Sequence, residues 1–217
     1  MRTLTKEIRD SLTPHMAIDV LRRGNDRFVN NLKANRNLLQ QVNETSEGQH
    51  PLAIVLSCID SRTSAELIFD QGLGDIFSCR IAGNVLNDDI LGSMEFACKV
   101  VGVKAVVVLG HSKCGAIRGA CDRVRMGNLS TLLHKIEDAM ELETETVSDR
   151  TSANDVFVER VATQNVLLVK RQILDRSPII GEMIRASEVA LVGGMYDVDS
   201  GAVTFYDSQM VFGAHAA

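Results

Sequence analysis

The chain has 217 residues, 45 % of them apolar, and a formal net charge of −5. That length and apolar content suit a single α/β domain with a sizeable core. No apolar run is long enough to span a bilayer, and the charges are mixed rather than gathered into a basic stripe, so membrane and nucleic-acid partners are not expected.

In chain order, residues 1–12 carry Glu7 and Asp10 among basic residues and have no apolar h-region, so no signal peptide is expected. Pro14 opens a helical pattern in which Ala17, Val20, Leu21, Phe28 and Leu32 fall near one face, with Gly24-Asn25 as a possible kink. Residues 33–50 are polar and read as a loop. The continuous apolar run Leu52 to Leu56, ending at Ser57-Cys58, reads as a strand buried on both faces. A short helix follows over residues 64–69, then a strand over 75–81, a helix over 88–101 capped by Asn87 or Asp88, and a valine-rich strand over 104–110. Helices are predicted over 115–126, around Leu129 to Met140, and over 155–176, ending before Pro178. Val189 to Val192 and Ala202 to Tyr206 flank Asp199-Ser200-Gly201 and predict a hairpin.

Strands alternating with helices imply an α/β fold with a mainly parallel sheet of four to five strands flanked by helices. The expected organisation is one domain over 1–217, with an N-terminal helical arm (1–35) and an α/β core (50–213). Ligands of such sheets sit at the carboxyl ends of the strands. Both chemically distinctive clusters fall there: Cys58-Ile59-Asp60-Ser61-Arg62 and His111-Ser112-Lys113-Cys114.

Five cysteines, an odd number, with apolar neighbours around Cys98, point to a reducing cytoplasm rather than a disulfide framework. Cys58, His111 and Cys114 offer the soft donors that zinc prefers, and three protein ligands leave a fourth position for water. Asp60 has two readings. It can complete the zinc shell, or it can pair with Arg62, whose planar guanidinium grips a carboxylate in two places. A purely structural zinc is the bland alternative, but such sites favour paired Cys-x-x-Cys knuckles, which this sequence lacks. Gly72-Leu73-Gly74 follows a helix and lacks the spacing of a dinucleotide-binding loop. Cys79, Cys98 and Cys121 read as core residues.

Several short motifs resemble, in order, those of β-class carbonic anhydrases. They are Gly24-Asn25-Asp26-Arg27-Phe28, the 58–62 cluster, Ala65-Glu66, Ile68-Phe69-Asp70, Gly74-Asp75-Ile76-Phe77, Arg80-Ile81-Ala82-Gly83-Asn84, Gly92-Ser93-Met94-Glu95-Phe96-Ala97, and Val107 through Gly115. The likeness is dense over residues 20–120. It implies a zinc lyase that reversibly hydrates carbon dioxide to bicarbonate and a proton. Zinc, one per subunit, would be held by Cys58, His111 and Cys114, with Asp60 as fourth ligand in a closed form. In the open form Asp60, held by Arg62, would orient a zinc-bound hydroxide. Gln49, Phe77, Ala82, Phe96 and Gly115 would line the substrate pocket. The resemblance also implies a homodimer or dimer of dimers, with N-terminal helices embracing the partner and pockets drawn from both subunits. Ile59, Thr63 and Ser64 depart from the residues usual around the first motif, and Phe96 stands where Tyr is common. Val55 replaces the Trp that marks the branch with a second, non-catalytic bicarbonate site. Activity on carbon disulfide or carbonyl sulfide, and a non-catalytic zinc protein, are the alternatives; retention of Asp60 with Arg62 argues against the latter.

Overall fold

In the computed structural model, which describes residues 3–207, 210 and 211, the apolar runs become five strands: β1 (Ala53–Ser57), β2 (Ile76–Arg80), β3 (Ala105–His111), β4 (Ala190–Tyr196) and β5 (Val203–Phe205). They form one sheet in the order β2-β1-β3-β4-β5. The first four strands run parallel and β5 is antiparallel to β4. Every residue of β1 and β3 is buried, as expected for central strands covered on both faces.

From β1 the chain moves outward to β2, then returns to the other side for β3, β4 and β5. The order therefore reverses between β1 and β3, and the crevice at the carboxyl ends of these two strands is the natural ligand site of an open α/β sheet. Cys58 follows β1 directly and His111 is the last residue of β3.

Nine α-helices surround the sheet among the described residues. They are α1 (Lys6–Ser11), α2 (Pro14–Val29), α3 (Leu38–Glu44), α4 (Ala65–Ile68), α5 (Asp88–Glu95), α6 (Gly115–Cys121), α7 (Gly127–Leu142), α8 (Asp155–Arg176) and α9 (Pro178–Arg185). One face of the sheet packs Ile54, Leu56, Val106, Val108 and Leu191 against residues of α5, α8 and α9. The other packs Ala53, Val55, Val107 and Val192 against Ala17, Ile18 and Leu21 of α2 and Phe69. A third apolar cluster, from α6, α7 and α8, includes Cys58 and Cys114. None of the described helices is long and apolar enough to cross a membrane.

Several local readings change. Residues 33–50 are not all loop: α3 lies within them, capped by the Asn37 side chain, which accepts from the Gln40 N–H at 3.1 Å. Gly24-Asn25 does not kink α2. A Cβ at Gly24 would stand 1.8 Å from the Phe69 carbonyl oxygen, so the glycine admits a close backbone approach. Asn25 turns inward and donates to the Ile68 and Gly201 carbonyls at 3.1 and 2.9 Å. The helix predicted over 88–101 is α-helical to Glu95 and then winds as a π-helix over Phe96–Val101. The helix after Gly115 stops at Cys121, and Pro178 opens α9 as its first residue. The N-terminal helical arm lies on the core of its own chain. Its junction with the core is held at the buried carboxylate of Asp70, which pairs with Arg27 and Arg36.

Candidate metal centre

Cys58, His111 and Cys114 each offer one buried ligand atom, and the three atoms lie within 4.8 Å of one another. The thiol sulfurs are 4.0 Å apart. Parallel pairing of β1 with β3 sets this geometry, because the two strands end side by side. His111 Nδ1 lies 2.9 Å from the Ser112 carbonyl oxygen. With Nδ1–H donating there, Nε2 keeps its lone pair for the cluster. His111 Nε2 is buried and has no partner among the described residues. Cys114 stands at the start of α6, where the amide groups of Ala116 and Ile117 favour thiolate.

The two thiols lie within hydrogen-bonding reach of each other. The S–H of Cys114 is the strongest influence lowering the Cys58 thiol, helped by the Gly83 amide, whereas Cys58 and burial push Cys114 up. All five cysteines are free thiols.

The loop after Cys58 is tied down by two donors. The Thr63 hydroxyl donates to the Cys58 and Asp60 carbonyls at 3.0 and 2.9 Å. Arg80, the last residue of β2, reaches the same two carbonyls at 3.0 and 2.6 Å. On this fixed loop Asp60 faces Arg62. Oδ1 accepts from the Arg62 amide (3.0 Å) and Nε (2.9 Å), and Oδ2 from Nη2 (2.8 Å). That two-pronged contact holds the Asp60 carboxyl well below the usual carboxylate range.

A sequence profile described as carbonic anhydrase matches residues 53–203. Carbonic anhydrase 2 of Mycobacterium tuberculosis is 36 % identical over 201 residues, covering 89 % of this chain and 93 % of that protein. The chain belongs to the carbonic anhydrase family. Its class is β: the crystal structure of a β-carbonic anhydrase from Aspergillus fumigatus superposes with a TM-score of 0.69 at 28 % identity, over 78 % of this chain and 82 % of that one. A tetrameric β-carbonic anhydrase from Sordaria macrospora gives 0.65 at 25 % identity, over 75 % and 83 %. The enzyme is therefore a carbonic anhydrase, a lyase that reversibly hydrates carbon dioxide.

β-Carbonic anhydrases depend on zinc, and the donor set of this one fits that metal. Two sulfurs and an imidazole nitrogen are zinc ligands by type, and a buried His111 Nε2 without another partner is what a metal-binding histidine requires.

The residues expected in the pocket of this carbonic anhydrase divide in two. Ala82 lies two residues after Arg80, the last residue of β2, and Gly115 adjoins Cys114 with open space where a Cβ would be. Gln49, by contrast, is exposed beside Gly74, before β2 begins. Phe77 pairs in register with Ile54, four residues before Cys58, about 13 Å back along the strand. Phe96 is 52 % exposed at the start of the π-helical turn.

Five residues near the centre escaped sequence reading as site residues. Thr63 and Arg80 hold the loop, as described. Gly83 donates its amide to Cys58 Sγ at 3.3 Å, and Asn165 Nδ2 donates to the Gly83 carbonyl at 2.8 Å. Tyr196 is the register partner of His111 and is buried close enough to Asp60 and Arg62 to feel their charges. Asn165 did leave a signal: it sits in the apolar stripe of α8, four residues from both Val161 and Val169.

Proposed function

We propose that this β-carbonic anhydrase holds one zinc ion per chain through Cys58, His111 and Cys114, and that Asp60, locked by Arg62, aligns the attacking oxygen for addition to carbon dioxide. The observation that carries this reading is the two-pronged Arg62–Asp60 contact beside the Cys/His/Cys cluster. Zinc, when bound, supplies Lewis acidity that brings the pKa of a coordinated water to about 7.

The chain's own residues supply the rest. A carboxylate has about four acceptor positions. Arg62 uses two on Oδ1 and one on Oδ2, which leaves one lone pair on Oδ2. Kept ionised by the guanidinium, Asp60 can accept a hydrogen bond there but cannot donate one. It therefore selects the O–H of the nucleophile and turns the oxygen lone pair towards the carbon. Gly115, with open space where a Cβ would be, leaves room for a small linear substrate. Asp60 as a zinc ligand belongs to a closed form, in which it would have to leave Arg62. Stopped-flow carbon dioxide hydration from pH 6.5 to 9, with metal content measured on the same sample, tests the reading. Activity that rises with pH in proportion to bound zinc supports it, and a zinc-independent or flat profile sinks it.

The upward push on the Cys114 thiol sets the direction of the metal centre's response to acid. Both thiols must be deprotonated to bind zinc, and Cys58 and burial push the Cys114 thiol up. Zinc binding should release a proton from this pair. Zinc affinity should therefore weaken as pH falls. Calorimetric titrations in buffers of different ionisation enthalpy count that proton directly.

We further propose a homodimer or dimer of dimers with a composite pocket. Gln49 and Phe77 lie too far back along the sheet to serve the cluster of their own chain, so they would serve that of a partner. Leu38, Leu39 and Val42 expose an apolar face on α3 suited to such burial. Cys58→Ser and Gln49→Ala put the defects in different halves of the composite site. Co-expressed, the two variants should form mixed dimers with one intact site and regain activity above the sum of the separate variants. No regain in isolated mixed dimers would assign Gln49 elsewhere. Five free thiols suit a cytoplasmic enzyme.

A further inference from the structure

Asn165 is 1 % exposed in the middle of α8, with buried Val161, Ala162, Val166, Leu168 and Val169 around it. Leucine would fill that space without burying an amide. Asn165 Oδ1 and Asn84 Nδ2 are buried with no partner among the described residues, so the amide is not there to complete a polar network. Its one described bond runs from Nδ2 to the carbonyl of Gly83, 82 residues away, at 2.8 Å.

Gly83 has a special conformation. Its φ is 66°, a region that favours glycine, and a Cβ there would stand 2.8 Å from Ile136 Cδ1. On one side of its Cα the carbonyl is held by Asn165. On the other side its amide points at Cys58 Sγ, 3.3 Å away. The residue that anchors this turn thus fixes the direction of a hydrogen bond to sulfur. An amide donated to a thiolate drains charge from it and limits its rotation, and donors of this kind tune the ligand they touch.

We propose that Asn165 is a positioning residue for Cys58, acting through the Gly83 amide to set the charge and direction of the thiolate offered to zinc. The inference rests on the reading of Cys58 as a zinc ligand. The Asn165→Leu variant keeps the branched shape and the number of side-chain heavy atoms and removes the donor. Its zinc affinity, read by competition with a chromophoric chelator, should fall about 10–100-fold, the range found for second partners of metal ligands. In the cobalt-substituted enzyme the thiolate-to-cobalt charge-transfer band should shift, a change that loss of helix stability alone would not produce. Gly83→Ala should weaken zinc in the same way, and the double variant should lose little more than either single one.

Unchanged affinity and an unchanged cobalt band in a folded Asn165→Leu protein would overturn the proposal while leaving Cys58 as a ligand. A wild-type chain that takes up no zinc would overturn both. Should the variants fail to fold, cadmium-113 in wild-type protein labelled with 15N-glycine decides the matter. A scalar coupling between the metal and the Gly83 amide proton is expected, and its absence would remove the Gly83 link.

Discussion

Replacing Cys58 by serine is expected to strip the enzyme of zinc and of carbon dioxide hydration together. The sulfur at this position is buried, 4.0 Å from Cys114 Sγ, and receives the Gly83 amide. Neighbouring donors lower the Cys58 thiol, so the metal meets a thiolate ready to bind. A serine hydroxyl is a harder donor that holds its proton far more tightly, and it would leave two ligands from the protein. Zinc sites with four protein ligands bind with about 10–16 kcal/mol, or about 2.5–4 kcal/mol per ligand, which corresponds to two or three orders of magnitude in affinity. Dialysis against a chelator that the wild-type enzyme resists should empty the variant, and turnover should fall to the uncatalysed background. Circular dichroism should stay native, because the substitution changes one atom. Full zinc and turnover in Cys58→Ser would remove Cys58 from the metal centre.

The position of this centre was legible in the sequence because Cys58 and His111 each stand at the end of a mostly apolar run, and runs of that kind become central parallel strands. Two such strands placed side by side bring their ends together, even with more than fifty residues between them. Elements with weak or misleading patterns were harder to read. Helix α3 buries Gln41 and exposes Leu38, Leu39 and Val42, so its sequence has no inward apolar stripe to detect. Gly24-Asn25 has the composition of a break, but its role is tertiary: it meets the Phe69 carbonyl and two other backbone groups that periodicity cannot reveal. The loop-holding roles of Thr63 and Arg80 were also hidden, because each acts on backbone carbonyls, and a carbonyl leaves no mark in sequence. The Asp60–Arg62 pair was visible as an alternative. Local spacing supports both the pair and the ligand reading, and only the geometry of the loop turns the carboxylate towards Arg62.

Asp60→Asn should separate metal binding from catalysis. The amide is nearly the same size, and Cys58, His111 and Cys114 are untouched, so zinc should remain close to one per chain. What changes is the chemistry of the two oxygen positions. Arg62 now presents two donors to a group with one acceptor oxygen and an NH2, and one of the contacts at 2.9 and 2.8 Å must break or repel. If the NH2 turns away from Arg62, it points at the nucleophile and donates where Asp60 accepted. If it turns towards Arg62, the anchor fails and the side chain loses its direction. Either orientation removes the acceptor that aligns the attacking oxygen, an effect worth about 10²–10³-fold in kcat for a preorganised polar contact. Arg62→Lys should give a smaller loss, since a lysine keeps the charge but not the planar grip. The double variant should be little worse than Asp60→Asn, because the two residues act as one unit. Stopped-flow assays at saturating carbon dioxide, with zinc quantified in each preparation, measure these ratios. Wild-type turnover in a zinc-replete Asp60→Asn enzyme would take the carboxylate out of the mechanism and leave Arg62 with a purely structural role.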